Sequence, residues 1–125
     1  MCGICGYTGS NNRYLDLMIR YIRRRGPDYE GEFSKNNIHL GATRLSIRDI
    51  KNGNQPFLHS DINFVTVFNG EIYNYHFLKK KIQEKGYIFK TNCDTELIAP
   101  GFKFYGINFF SLIEGMFAFA IHDLS

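Results

Sequence analysis

The residue with the most chemical potential is the second in the chain. The sequence opens Met1-Cys2-Gly3-Ile4-Cys5-Gly6-Tyr7. An initiator methionine before a small residue is normally trimmed. Trimming here leaves Cys2 with a thiol and a free α-amine on one residue. An unperturbed α-amine titrates at about 7.7–8.0 and an unperturbed thiol at about 8.5. Near neutral pH part of the amine is therefore unprotonated and able to take the thiol proton. Activation of a nucleophile by the chain's own terminal amine is an established route to covalent catalysis.

A nucleophile in acyl transfer needs a base, an oxyanion hole and groups that orient the substrate. Asn69 offers a side-chain N–H and Gly70 a backbone N–H to a developing oxyanion. Removing one such donor costs about 10²–10³ in rate. Arg44 can clamp a carboxylate through two parallel hydrogen bonds, and Asp94 can hold a cationic amine. Carboxylate plus amine describes a free amino acid. A side-chain amide attacked by a thiolate makes that amino acid glutamine or asparagine. Each residue also has a plain structural use: Arg44 in an ion pair, Asp94 as a helix cap, Asn69-Gly70 as a turn.

The elements that must position these groups are legible along the chain. Cys2 to Thr8 reads as a short buried strand. Leu15, Met18, Ile19 and Ile22 recur at helical spacing from Tyr14 to Arg24. Asn11 or Asn12 caps that helix, and Gly26-Pro27-Asp28 ends it. Glu30 to Asp49 reads as a hairpin turning at Asn36-Asn37. Gly53-Asn54-Gln55-Pro56 is a loop. Phe57-Leu58-His59 and Ile62 to Phe68 form a second hairpin around Ser60-Asp61, and Asn69-Gly70 turns at its end. Asn74 caps a helix with Phe77, Leu78 and Ile82 inward, stopped by Gly86. Tyr87 to Lys90 is a short strand. Cys93-Asp94-Thr95-Glu96 starts a helix that Pro100-Gly101 interrupts. Phe109 to Glu114 is a short helix and Gly115 to Asp123 a buried strand.

Composition narrows the function classes. At 125 residues the chain is at most one domain, and a 44% hydrophobic fraction with 12 Phe and 8 Tyr is enough to build its core. No apolar run approaches the ~20 residues of a membrane span, and no basic segment precedes an apolar one as in a signal peptide. The expectation is a soluble, cytoplasmic protein with no membrane partner. The net charge of +3 is too mild to imply nucleic acid. The runs Arg23-Arg24-Arg25 and Lys79-Lys80-Lys81 read as solvated helix faces and ends. Three cysteines in a reducing compartment argue against a disulfide framework. Cys2-x-x-Cys5 matches a redox or metal pair only formally. No second pair exists, and His39, His59, His76 and His122 are scattered.

Taken together, the motifs resemble a known family. The stretches are Met1-Cys2-Gly3-Ile4, Arg25-Gly26-Pro27-Asp28, Arg44-Leu45-Ser46-Ile47, Asn54-Gln55-Pro56, Asn69-Gly70-Glu71-Ile72-Tyr73-Asn74, Asp94-Thr95-Glu96 and Gly115-Met116-Phe117-Ala118-Phe119-Ala120. In this order they are similar to the N-terminal glutaminase domain of glutamine-hydrolysing asparagine synthetases, class II amidotransferases with an N-terminal nucleophile fold. The resemblance implies an α+β fold in which stacked antiparallel sheets are flanked by helices. It implies that Cys2 attacks the glutamine amide with its own amine as base, forming a thioester and releasing ammonia, and that water then releases glutamate. Asn69 and Gly70 would form the oxyanion hole. Arg44 would bind the α-carboxylate, Asp94 the α-amine and Glu71 the amide end, with the backbone of Leu45 and Ile47 lining the pocket. Ammonia would pass to a synthetase domain or separate subunit that activates aspartate. ATP and magnesium are expected only there, and no cofactor in the present domain.

The chain departs from the family pattern in four places. Arg24 stands where the family usually has His, Cys5 replaces a bulkier apolar residue, and Pro100 falls within a helix. The sequence also stops after the last strand, so residues 1–125 are expected to be a partial glutaminase domain, incomplete at its C-terminal end, with the synthetase domain absent and its last strand an unpaired edge. Three readings stay open: a working glutaminase module, an impaired fragment that acts at most as a binding or interaction module, and a small redox or metal protein using Cys2 and Cys5.

Overall fold

The computed structural model describes residues 1–125. Its elements run β1 (Gly3–Thr8), α1 (Arg13–Ile22), β2 (Tyr29–Lys35), β3 (Ile38–Arg44), β4 (Phe57–His59), β5 (Phe64–Ile72), α2 (Tyr75–Gln83), α3 (Thr95–Tyr105) and β6 (Gly115–Asp123), with 3-10 turns at Arg23–Arg25 and Gly106–Leu112. The strands form two antiparallel sheets, ordered β1-β3-β2 and β4-β5-β6.

The period of two along β5 explains how the sheets stack. Val65 and Val67 point one way and meet Leu40 and Ala42 of β3 in a buried cluster between the sheets. Phe68 and Ile72 point the other way. They pack with Tyr75, Leu78 and Ile82 of α2, Leu97 and Ile98 of α3, and Phe109. Full burial of one such aliphatic or aromatic side chain contributes about 1.5–3 kcal/mol, so this larger cluster is the main stabilising core. On the far side, α1 lays Leu15 and Ile19 against the first sheet. Gly41 makes room for it: a Cβ there would lie 2.7 Å from Ile19. The result is the expected α+β arrangement of stacked antiparallel sheets between helices. No helix is long and apolar enough to cross a membrane.

Several local expectations are corrected. Asn69-Gly70 is not a turn: β5 runs on to Ile72, paired with β6 through Asn69↔Ala118 and Gly70↔Phe117. The Tyr87–Lys90 stretch is not a strand. The backbone N–H groups of Lys90 and Thr91 donate instead to the buried Glu96 carboxylate at 2.8 and 2.7 Å. Helix α3 continues through Pro100. Proline removes one donor from a helix, but Leu97 to Gly101 are all buried, and that packing outweighs the lost bond. Phe77 faces outward, and Tyr75 takes its place in the core. Asn74 does not cap α2 with its side chain. Its amide accepts from Glu114 N–H at 3.0 Å and donates to Leu112 O at 2.8 Å, tying α2 to the approach of β6. The Phe109–Glu114 helix is the 3-10 turn Gly106–Leu112. β6 is not buried but sits at the sheet edge with its first residues exposed.

Candidate active site

Two of the sequence motifs build a frame rather than a reactive centre. In Arg25-Gly26-Pro27-Asp28, Arg25 Nε donates to the carbonyl of Cys2 at 3.2 Å. Gly26 presses against the backbone of Thr43, where a Cβ would collide. Asp28 accepts the Ser46 N–H at 2.7 Å, and its own N–H donates to Arg44 O at 3.0 Å. The motif therefore pins the start of β1 to the end of β3, and Cys2 to the segment after Arg44. The second frame is centred on Arg44. The residue is 3% exposed. Nη1 donates to Ile50 O and Asn54 Oδ1, both at 3.0 Å. Nη2 donates to Arg48 O at 2.9 Å and Asp49 O at 2.7 Å. All four terminal N–H groups are thus committed to the loop of residues 48–54.

The same loop is clamped from its other side. Asp49 accepts the Asn92 N–H at 3.0 Å, a bond that holds its carboxyl below the usual range. Cys93 Sγ donates to Arg48 O at 3.3 Å. Burial pushes this thiol up to about 11, so it stays protonated and serves as packing. Gly53 is required here, because a Cβ would collide with Cys93 Sγ and the Arg44 guanidinium. Gln55 Oε1 accepts the Phe68 N–H at 2.6 Å and so fastens the loop to β5.

Between these frames lies a cleft of about 190 Å³ whose lining includes Cys2, Arg44, Leu45, Ile47, Arg48, Gly70, Glu71 and Asp94. Cys2 enters from β1, and its thiol faces the Leu45 carbonyl at 3.8 Å. Gly70 enters from β5 with φ +154°, a conformation that L side chains rarely adopt, and a Cβ there would also collide with the Met116 carbonyl of β6. Only glycine lets β6 close so tightly over this side of the cleft. Asp94 enters from the start of α3. It is 7% exposed, and its Oδ2 accepts the Ile72 N–H at 2.8 Å. Burial raises its pKa above the ordinary carboxylate range.

The floor of the cleft holds an ion cluster. Arg48 donates from Nη1 to Asp94 Oδ1 at 2.7 Å and from Nη2 to Glu71 Oε1 at 2.9 Å. Its guanidinium also lies over the Tyr75 ring, 5.0 Å from the centroid. Unlike Arg44, the Arg48 side chain is 41% exposed. With Arg44, Arg48, Glu71 and Asp94 lining it, the cleft carries two positive and two negative groups.

Seven of the eight residues singled out in the sequence therefore line one cleft. Asn69 is the exception. It does not line the cleft, and its Oδ1 is buried without a hydrogen-bond partner. Sequence reasoning missed Arg48, Gly53, Gln55 and Cys93. Arg48 carried no local signal, since its partners lie 23 and 46 residues away. The usable clue was indirect: two acidic groups proposed for one small site call for a cation. Cys5 stands apart beside Gly41 and Ile19 under α1, so it does not converge with Cys2, and all three thiols are free. No three His, Cys, Asp or Glu side chains gather to hold a metal ion.

Comparison with known proteins places the chain in a family. The chain is 38% identical to a glutamine-hydrolysing asparagine synthetase of Bacillus subtilis over 97% of its own length and 20% of that protein. It is 35% identical to one of Arabidopsis thaliana over 98% of its own length and 22% of that protein. The chain thus spans about a fifth of the length of these relatives. Its fold matches glutamine phosphoribosylpyrophosphate amidotransferase from B. subtilis with a TM-score of 0.59 and 26% identity, over 73% of this chain and 22% of that one. The profile described as "Glutamine amidotransferase domain" matches residues 1–125. A cleft lined by Cys2, just before β1, and by balanced ionic groups is thus carried on a chain that belongs, over its whole length, to the glutamine amidotransferase domain family.

Proposed function

We propose that this domain hydrolyses the side-chain amide of glutamine and serves as the ammonia source for asparagine synthesis. The observation that carries the reading is the convergence of Cys2, Gly70, Glu71 and Asp94, from three separate segments, on one cleft of amino-acid size. With Met1 removed, the Cys2 amine accepts the thiol proton. The thiolate attacks the amide carbon, and the Gly70 N–H stabilises the oxyanion; Asn69, which does not line the cleft, has no direct part in this step. Collapse of the tetrahedral species expels ammonia, which takes up the proton held by the amine. The resulting thioester is hydrolysed by water to glutamate and free thiol. Asp94 receives the substrate ammonium and Glu71 the amide end, while Leu45 and Ile47 form the wall. Arg44 holds the wall in shape and adds positive charge on the side where a carboxylate belongs.

Coupling to asparagine synthesis rests on the named relatives, which are glutamine-hydrolysing asparagine synthetases about five times as long. The acceptor chemistry, with its ATP and magnesium, belongs to a separate domain or subunit. The test is ammonia release from L-glutamine by protein whose intact mass proves loss of Met1. Release is expected from the parent and none above background from Cys2→Ala. An equal rate from Cys2→Ala removes the nucleophile assignment. Glutamine binding without any turnover by the parent would favour the binding-module reading.

A further inference from the structure

We infer that Lys79 is a positioning residue for substrate binding, one that sets two walls of the cleft from outside it. This rests on the reading of the cleft as a glutamine site. Lys79 stands one helical turn after Tyr75 on α2 and does not line the cleft. A lysine ammonium has three N–H groups, and here all three are placed. They donate to Tyr75 Oη at 3.0 Å, to Thr91 O at 3.2 Å and to Asn92 Oδ1 at 2.8 Å. The ammonium also lies 5.0 Å from the Phe89 ring centroid.

These bonds lead to separate parts of the cleft. Thr91 and Asn92 belong to the segment that delivers Asp94 to the start of α3. The Asn92 N–H donates to Asp49 Oδ2 at 3.0 Å. The Asp49 carbonyl in turn accepts from Arg44 Nη2 and from the Asn52 and Gly53 N–H groups. Asn92 is therefore held between Lys79 and Asp49, and the wall carrying Asp94 meets the loop of residues 48–54 at this point. The third bond goes to Tyr75, whose ring lies under the Arg48 guanidinium. Arg48 bonds both Asp94 and Glu71. General bracing is supplied elsewhere. Glu96 already holds the Lys90 and Thr91 N–H groups from the inside, and Tyr75 is packed in the main core. Asn92 is exposed and Lys79 half-buried, so the bond between them contributes little to stability. What it fixes is placement, and a binding group misplaced by about 1 Å can cost up to about a hundredfold.

The test uses the chain freed of Met1, with two readouts: steady-state glutamine hydrolysis and amide hydrogen exchange. Lys79→Met removes all three donors. It is expected to raise KM for L-glutamine about tenfold and to leave kcat within about twofold, since Cys2 is not part of this linkage. Lys79→Arg, which keeps charge and donors, should return KM close to the parent value. Asn92→Ala cuts the link without changing the charge and should raise KM by a smaller factor. The double variant should be no worse than Lys79→Met, because both break one connection. Exchange should quicken about tenfold at Asn52, Gly53 and Asn92 and stay unchanged at Val65 to Phe68 of β5. Exchange that quickens equally in β5 makes Lys79 a general strut and overturns the inference. An unmoved KM, or a fall in kcat at constant KM, also overturns it. If Lys79→Met does not fold, Asn92→Ala decides, and parent-like KM and exchange in that variant overturn the inference. If the parent releases no ammonia, the glutamine-site reading fails, and the exchange pattern alone decides whether Lys79 sets these walls.

Discussion

Two polar clusters flank the start of α3, and they are built on opposite rules. One step into the helix, Glu96 is fully buried. Its carboxylate accepts from Tyr87 Oη, Lys90 N–H, Thr91 N–H and Thr91 Oγ1 at 2.7–3.2 Å. Every contact is internal, and the cluster replaces the strand expected over Tyr87–Lys90. Two residues earlier, Asp94 shares its carboxylate between an internal partner, Ile72, and a half-exposed one, Arg48. A saturated, sealed cluster is architecture, because any exchange leaves a buried group unpaired. A cluster with one solvent-facing partner stays open to a ligand. The same contrast separates Arg44 from Arg48, four residues apart in sequence.

The contrast can be broken most severely at Glu96. Glu96→Ala leaves two backbone N–H groups and two hydroxyls without their acceptor. It should cost about 4 kcal/mol in denaturant unfolding. A loss below 1 kcal/mol would mean that the sealed cluster is not structural. A second sealed group gives a pH signature. His59 is fully buried, with Nε2 3.0 Å from Thr66 Oγ1, and burial lowers its pKa to about 4. The unfolded chain takes a proton near pH 6.5, so the unfolded state binds protons first as pH falls. Stability should drop between about pH 6.5 and 4, by up to about 3 kcal/mol from this group. Unfolding curves of the parent and His59→Phe should show a smaller drop in the variant.

Gly70 lies between architecture and site. Gly70→Ala combines a disfavoured φ with a collision at Met116, at a cost of about 1–3 kcal/mol. Because Gly70 also lines the cleft, glutamine affinity should fall with stability in parallel titrations. The ionic cluster itself should respond to acid. Asp94 is held above the ordinary carboxylate range and must be charged to receive an ammonium. Glutamine affinity, read by calorimetry, should therefore begin to fall on acidification before ordinary carboxylates titrate, and Asp94→Asn should remove that dependence. The smallest expected change is the stability of Arg48→Gln. An ion pair with a half-exposed partner contributes about 0–1 kcal/mol, so its unfolding curve should nearly overlay the parent's. A large loss of stability would place Arg48 with the sealed clusters instead.

Much of the cleft was legible because its residues have few alternative uses in combination. Cys2, Gly70, Glu71 and Asp94 stand at element ends, where backbone geometry leaves side chains open to a site. The hairpin turn at Asn36-Asn37 was legible for a local reason: both residues have positive φ, at 51° and 63°, which Asn tolerates. What escaped was decided by distant contacts. Pro100 reads as a helix breaker because propensity is local, whereas the packing that retains it comes from β5 and the 3-10 turn. Asn69-Gly70 reads as a turn until β6 pairs with it across 47 residues, from Gly70 to Phe117. Arg48 carries no local signal in sequence because its acidic partners are remote. Nor does sequence reveal that the Arg44 guanidinium also braces residues 48–54.

The most direct measurement is to trap the covalent intermediate. Protein lacking Met1 is mixed with L-glutamine, quenched in acid within the turnover time, and examined by intact mass and peptide mapping. The expected result is one glutamyl group on the peptide beginning at Cys2, absent from Cys2→Ala. Ammonia release with no adduct, or an adduct mapped to Cys5 or Cys93, would contradict Cys2 as the nucleophile of this cleft.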